Sequence, residues 1–357
     1  MTTNIKTGGT EMRYRLFGAA SGLRVSEIAL GCGMFGTTWG HGAEPAEARR
    51  MFDEYVAAGG NFFDTADAYQ GGESEQRLGE FTRGRRDHYV ISTKYTGGSG
   101  DDKSTSTTGN SRKNMARSVE GSLRRLGTDY IDIYWAHVPD GLTPIDEIMR
   151  GFEDLRRSGK ILYAGLSNFP AWRTVSATLL AAANGWAPLI GVQDEYSLVE
   201  RSIERDTVPM ARAHGLGIAG WSPLGGGLLT GKYRRGETGR VTTWKNLFHL
   251  EDSPQRATIL DTLTSIAHEV DANEGQVAIA WTIAKGVVPI IGPRTTAQVK
   301  DNLAAARVTL SDAQVQRLDT ASAIPLGYPN NFFERFPAER ANLAAGTTLI
   351  DPPASVR

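Results

Sequence analysis

The chain has 357 residues, 40% hydrophobic and 22% charged, with a formal net charge of -1. These are ordinary globular values, and a near-neutral chain has no general electrostatic pull toward nucleic acid or an acidic membrane. No stretch approaches the roughly 18 apolar residues that a membrane span needs, and 1–10 is polar without an apolar h-region, so no secretory leader is expected.

In chain order, 12–25 has turn signals at Gly18 and Ser21-Gly22 and reads as a hairpin closing the bottom of a barrel. Strands are predicted at 27–31, 61–64, 90–93, 131–136, 163–167, 190–193, 217–221 and 288–291. Helices are predicted at 45–58, 74–81, 111–126, 144–157, 171–183, 206–214, 255–270 and 296–306. The single cysteine, Cys32, follows the first strand; it reads as a small buried hydrophobe and fits a reducing cytoplasm. Thr143-Pro144 offers an N-cap hydroxyl before an N1 proline. Thr295 through Gln298 and Ser311 through Gln314 read as capping boxes, and Gly59-Gly60 and Gly159 as helix-ending glycines.

The length allows two domains or one large α/β barrel. Eight β–α units favour a single-domain (β/α)8 TIM barrel: a flexible tail over 1–11, hairpin and barrel over 12–310, then a C-terminal helix and tail over 311–357. Three long connections, 33–44, 95–110 and 222–254, leave C-terminal strand ends, where barrel enzymes place working loops. From Ala323 the tail is rich in Pro and aromatics, and either folds over the barrel mouth or covers its side.

Two glycine patterns invite the wrong reading. Gly31-Cys32-Gly33-Met34-Phe35-Gly36 has the dinucleotide-fingerprint spacing, but its third glycine does not open a helix; eight residues intervene before Pro45. Gly226 to Lys232 has P-loop spacing, yet Tyr233 follows where a magnesium-binding hydroxyl is needed. A glycine-rich loop after a strand can still cradle a phosphate through its N–H groups. The six histidines show no metal-ligand spacing, and no Gly-x-Ser-x-Gly elbow occurs.

Four residues at strand ends suggest acid–base chemistry: Asp64 and Tyr69 after the second barrel strand, Lys94 ending the third and His137 ending the fourth. A phenol with an ordinary pKa near 10 is a poor proton donor near neutrality. An adjacent ammonium, Lys94, would lower it, and Asp64 would keep that ammonium charged against desolvation. His137 would orient a carbonyl oxygen by hydrogen bonding. Each residue alone has a plain structural reading, as an ion pair or as packing; their common position argues for a site.

These four residues resemble the catalytic tetrad of the aldo-keto reductases. So do Gly165-Leu166-Ser167-Asn168, the segment from Val192 to Leu198, that from Trp221 to Lys232, and that from Gly292 to Asn302. The likeness runs from Met12 to Ala306 and is nearest the aryl-alcohol dehydrogenase-like branch. It implies an NADP-dependent oxidoreductase in which a nicotinamide cofactor lies across the barrel mouth. Ser167, Asn168 and Gln193 would hold the carboxamide, and Trp221 would stack on the ring. Ser222, Leu224, Gly226 and Lys232 would wrap the pyrophosphate, and Arg294, Gln298 and Asn302 would hold the adenosine end. Arg294 suits a 2′-phosphate, which favours NADPH over NADH. Asp194 departs from the family's pattern, in which many relatives carry Asn. The substrate would be a small carbonyl or alcohol, aryl or bulky if Phe35, Trp39, Trp135 and Trp244 line an apolar pocket; Trp135 reads equally as a strand core residue. A second resemblance, to potassium-channel β-subunits, implies a cofactor-sensing partner protein with little turnover. Neither resemblance fixes the oligomeric state.

Overall fold

The computed structural model describes residues 12–100, 103–239 and 249–335. Two short strands, β1 (Tyr14–Leu16) and β2 (Arg24–Ser26), pair antiparallel as a hairpin. Eight parallel strands then close a barrel: β3 (Ala29–Gly31), β4 (Phe62–Asp64), β5 (Val90–Tyr95), β6 (Ile131–Ala136), β7 (Ile161–Ser167), β8 (Gly191–Glu195), β9 (Gly217–Trp221) and β10 (Val288–Ile291), with β10 pairing back to β3. The fold is the expected (β/α)8 barrel with its N-terminal hairpin. The first barrel strand is shorter than expected, because Glu27 instead continues the hairpin, exchanging backbone and side-chain hydrogen bonds with Arg13.

Strand parity sorts the core. Successive residues on a strand face opposite sides. Ala29, Phe62, Val90, Ile133, Trp135, Ala219, Val288 and Ile290 fill the barrel interior, and Phe17 from the hairpin joins them as a plug. Leu30, Phe63, Ile91, Tyr134, Leu166, Val192, Ile218 and Ile291 take the other parity and pack in the outer layer under the helices.

The helices are α1 (Pro45–Ala57), α2 (Glu73–Thr82), α3 (Arg112–Leu126), α4 (Ile145–Arg157), α5 (Ala171–Asn184), α6 (Thr207–Ala213), α7 (Pro254–Glu269), α8 (Glu274–Ala284), α9 (Thr296–Leu303), α10 (Asp312–Ala321) and α11 (Asn330–Arg335). The Ser311 capping box forms as expected. At α9 Thr295 Oγ caps the Gln298 N–H, but Gln298 Oε1 accepts from the N–H of Arg294 rather than of Thr295. Thr143 does not cap α4; its hydroxyl and N–H both donate to Asp140.

The helix missing from the sequence reading is α8. Its faces are almost all buried, from Val277 through Thr282, so it lacks the polar stripe that reveals a helical period. It packs against β10, whereas α7, predicted as the last crossover helix, packs outside on α8 and α10. Its one sequence signal is the capping box of Asn273 with Gln276. Among the described residues no helix is long and apolar enough to cross a membrane.

Candidate functional site

Inward parity continues up each strand. Counting in twos from interior core positions gives Asp64 after Phe62, Ser92 and Lys94 after Val90, His137 after Ile133 and Trp135, Ser167 after Tyr163, and Trp221 after Ala219. All lie at C-terminal strand ends, so the barrel gathers them over its axis.

Lys94 is fully buried. Its Nζ donates to Asp64 Oδ2 at 2.5 Å, to the carbonyl of Thr65 at 2.8 Å and to the Tyr69 hydroxyl at 3.3 Å. Three acceptors use its three protons. Asp64 Oδ1 is held separately, by Ser92 Oγ at 2.6 Å and Gln193 Nε2 at 2.9 Å. The sequence reading missed Ser92; its signal was parity, two residues before Lys94. The His137 ring stands edge-on to that of Tyr69, with centroids 5.7 Å apart.

The electrostatics follow from burial and neighbours. Burial pulls the Lys94 ammonium toward neutrality, but Asp64 and Tyr69 outweigh it, so its pKa is raised and it stays charged. Burial pushes the Tyr69 phenol above its ordinary value; Lys94 opposes this without reversing it. Lys94 therefore moderates the Tyr69 pKa rather than lowering it outright as expected, because burial outweighs the ammonium. Burial, with Lys94 adding to it, lowers His137 to about 3. The imidazole is neutral at physiological pH and can donate one hydrogen bond.

A cleft of about 460 Å³ opens over this cluster. Asp64, Tyr69, Gln193 and Trp221 line it together with Ser222, Leu224, Gly226 and Lys232 and with Arg294, Gln298 and Asn302. The Gly225–Gly227 turn has positive φ at all three glycines, and Ser222 adopts φ +57°, its Oγ accepting from the Gly226 N–H at 3.2 Å. Among the described residues no carboxylate pairs with the Arg294 guanidinium. The carboxylates that do line the cleft have partners: Glu237 pairs with Arg235, and Asp301 accepts from Asn273 and Gln276. A cleft lined by an aromatic surface, a glycine turn, a lysine and an arginine has the chemistry to hold a dinucleotide.

Ser167 and Asn168 do not line this cleft. Asn168 Nδ2 donates to Ser167 Oγ at 3.0 Å and to the His137 carbonyl at 2.9 Å, and its Oδ1 accepts from Trp221 Nε1 at 3.1 Å. The pair ties the ends of β6, β7 and β9 together and fixes the Trp221 ring. Asp194 takes the parity opposite to Gln193 and lines a different cleft with Asp206. Its carboxyl, raised to about 7 chiefly by burial, does not face the main cleft.

Of the aromatic residues expected to line a substrate pocket, Trp39 does so. It is half-exposed, lines the cleft, and sits edge-on to Tyr69 with centroids 6.1 Å apart. Phe35 is fully buried against Phe81. Trp135 belongs to the barrel interior, edge-on to Phe17. Trp244 lies outside the described residues.

The Aldo/keto reductase family profile matches residues 27–323. The norsolorinic acid reductase of Aspergillus flavus is 34% identical over 346 residues, covering 93% of this chain and 87% of that protein. The NADP(+) aryl-alcohol dehydrogenase of Phanerodontia chrysosporium is 35% identical over 343 residues, covering 90% of this chain and 89% of that protein. An uncharacterized oxidoreductase of Bacillus subtilis, YrpG, is 38% identical over 318 residues, covering 86% and 94%. The match takes in every barrel strand and every residue named on the cleft, and by it the chain belongs to the aldo/keto reductase family, oxidoreductases that act on carbonyl and alcohol groups.

Proposed function

We propose that the chain reduces aryl or bulky apolar aldehydes and ketones with NADPH, or runs the reverse oxidation, with Tyr69 as the proton donor. One observation carries this reading: a fully buried ammonium, Lys94, touches a carboxylate on one side and a phenol hydroxyl on the other, and that phenol opens onto the cleft.

A bound NADPH supplies the hydride; the chain's residues supply orientation, the proton and charge stabilisation. Trp221 offers a flat apolar surface, braced by Asn168, for a planar ring. The glycine turn, Lys232 and Arg294 meet phosphate charge, and Arg294 is suited to a 2′-phosphate by its fork of donors. Gln193 borders the position of the carboxamide, with Ser167 and Asn168 bracing Trp221 behind it, and Leu224, Ser222, Gly226, Gln298 and Asn302 flank the rest of the dinucleotide.

As a substrate carbonyl is reduced, its oxygen gains negative charge. Tyr69 donates its proton to that oxygen, and Lys94, kept cationic by Asp64, stabilises the phenolate left behind. Neutral His137 donates a hydrogen bond to the same oxygen and sets its position. The aryl preference rests on Trp39, which borders Tyr69 at the cleft. It agrees with the Phanerodontia relative being an aryl-alcohol dehydrogenase.

The test follows NADPH absorbance against a panel of aromatic, aliphatic and sugar aldehydes, with dinucleotide binding measured separately by fluorescence. Turnover of aryl carbonyls that collapses in Tyr69→Phe while NADPH binding persists is the expected result. Turnover of small polar sugars alone removes the aryl assignment. Tight NADPH binding without turnover of any carbonyl removes the catalytic one and favours a sensor.

A further inference from the structure

Gln70, the neighbour of Tyr69, combines two unusual features. Its backbone is left-handed, at φ +52°, and its side chain is buried, at 1% exposure. A non-glycine residue in that conformation is strained, and such strain persists only where surrounding contacts hold it. Here the contacts all run to one segment, the loop between β3 and α1. Gln70 Oε1 accepts from the Trp39 N–H at 2.9 Å, while Nε2 donates to the carbonyls of His41 at 3.0 Å and Gly33 at 3.3 Å.

The next turn adds a second hold. Glu73 Oε2 accepts from the Thr37 N–H and the Thr38 hydroxyl, both at 3.0 Å, and Arg77 pins its other oxygen. The loop is built to be gripped. A Cβ on Gly36 would lie 2.4 Å from Glu73 Oε2, and one on Gly42 would lie 1.8 Å from the Gly36 carbonyl. The glycine pattern that imitates a dinucleotide fingerprint thus serves close approach, since a Cβ on Gly33 would meet the Tyr69 ring at 3.3 Å.

The loop presents Trp39, which is 44% exposed yet holds its ring edge-on to Tyr69. Packing is incomplete around a half-exposed ring; the bond from its backbone N–H to Gln70 fixes the main chain from which the ring projects. We infer that Gln70 is a positioning residue which sets aryl specificity, holding Trp39 beside Tyr69 without itself touching substrate. Catalytic and specificity loops are thereby one unit, joined across about thirty residues of sequence by one amide side chain. The inference rests on the proposed aryl-carbonyl reading.

The test is a double-mutant cycle on the full chain with NADPH, comparing kcat/KM for benzaldehyde with that for butanal in wild type, Trp39→Ala, Gln70→Gly and the double variant. Glycine removes the amide while relaxing the positive φ, so the turn can still form. Trp39→Ala should lower the benzaldehyde-to-butanal ratio roughly three- to tenfold, the worth of one aromatic contact. Gln70→Gly should lower it by most of that factor through the benzaldehyde KM, with butanal kcat little changed. The double variant should be no worse than Trp39→Ala. A merely structural Gln70 would reduce both substrates alike. An unchanged ratio in Gln70→Gly, or effects that multiply in the double variant, overturns the inference while leaving the aryl reading intact. A wild-type ratio in Trp39→Ala overturns both.

Discussion

The lower and upper halves of the barrel use the same strands and the same inward parity for opposite ends. Low in the barrel the inward positions hold Phe62, Val90, Ile133 and Trp135, apolar groups whose burial is itself stabilising. Two or four residues on, they hold Asp64, Lys94 and His137, each of which loses hydration on burial. Asp64 and Lys94 are retained there through hydrogen bonds that use every donor of the ammonium and both oxygens of the carboxylate. A buried ion pair is weak evidence for stability, since apolar replacements often match it. The upper half is therefore organised for chemistry, on a frame that the lower half stabilises.

Paired substitutions should separate the two halves, and the largest effects lie here. Tyr69→Phe should cut turnover by about 10²–10⁴, the usual worth of a positioned proton donor, while thermal stability stays near wild type. Trp135→Ala should do the reverse, costing about 3–5 kcal/mol of stability from the cavity it leaves, with kcat of the folded enzyme little altered. Asp64→Asn should fail on both counts. It strands the Lys94 charge at a cost of about 3–5 kcal/mol and removes the group that keeps the ammonium beside Tyr69. Urea midpoints and steady-state rates on the same preparations check all three. If Trp135→Ala abolished turnover without loss of stability, the division between halves would be wrong.

How much of this was legible in the sequence depends on which force placed each residue. Asp64, Lys94 and Trp221 are fixed by strand parity and by ending an apolar run, both visible in one dimension. The barrel and hairpin were legible for the same reason. The helix α8 was not, because a segment buried on all sides has no polar stripe to mark its period. Phe35 and Trp39 look alike in sequence, four residues apart in one glycine-rich loop. The contacts that hold this loop come from Gln70 and Glu73, over thirty residues away, so the sequence does not show which of the two points at the core and which at the cleft. The net direction of the Tyr69 pKa depends on depth of burial, which spacing does not encode.

A smaller effect should sharpen the map within the cleft. Arg294 lines the same cleft as Tyr69, without a carboxylate partner among the described residues. A charged hydrogen bond is worth about 1.5–3 kcal/mol, so Arg294→Ala should raise the KM for NADPH roughly ten- to hundredfold. The KM for NADH and the kcat with either cofactor should change little. An equal loss for both cofactors would assign Arg294 to some feature other than the 2′-phosphate.

The last effect is graded rather than abrupt, and comes from His137. Its pKa falls from an ordinary 6.5 to about 3 in the folded chain, through burial first and Lys94 second. The folded protein keeps the imidazole neutral where the unfolded chain protonates it. Between those two values the unfolded state binds the extra proton, so this contribution to stability is complete above pH 6.5 and is lost as the pH falls toward 3. Asp67 and Asp194, both raised to about 7 chiefly by burial, act with the opposite sign, favouring the fold on acidification. The slope of the wild type alone therefore does not isolate the histidine. Comparison with His137→Gln does. Relative to that variant, the wild type should lose close to 1.4 kcal/mol of stability for each pH unit below about 6, read from urea midpoints at pH 7 and pH 4.5. A difference that stays constant between the two would mean that the folded chain protonates the imidazole as readily as the unfolded one. At pH 4.5 it would then confront the Lys94 ammonium as a second cation, and burial beside Lys94 would not be what keeps it neutral.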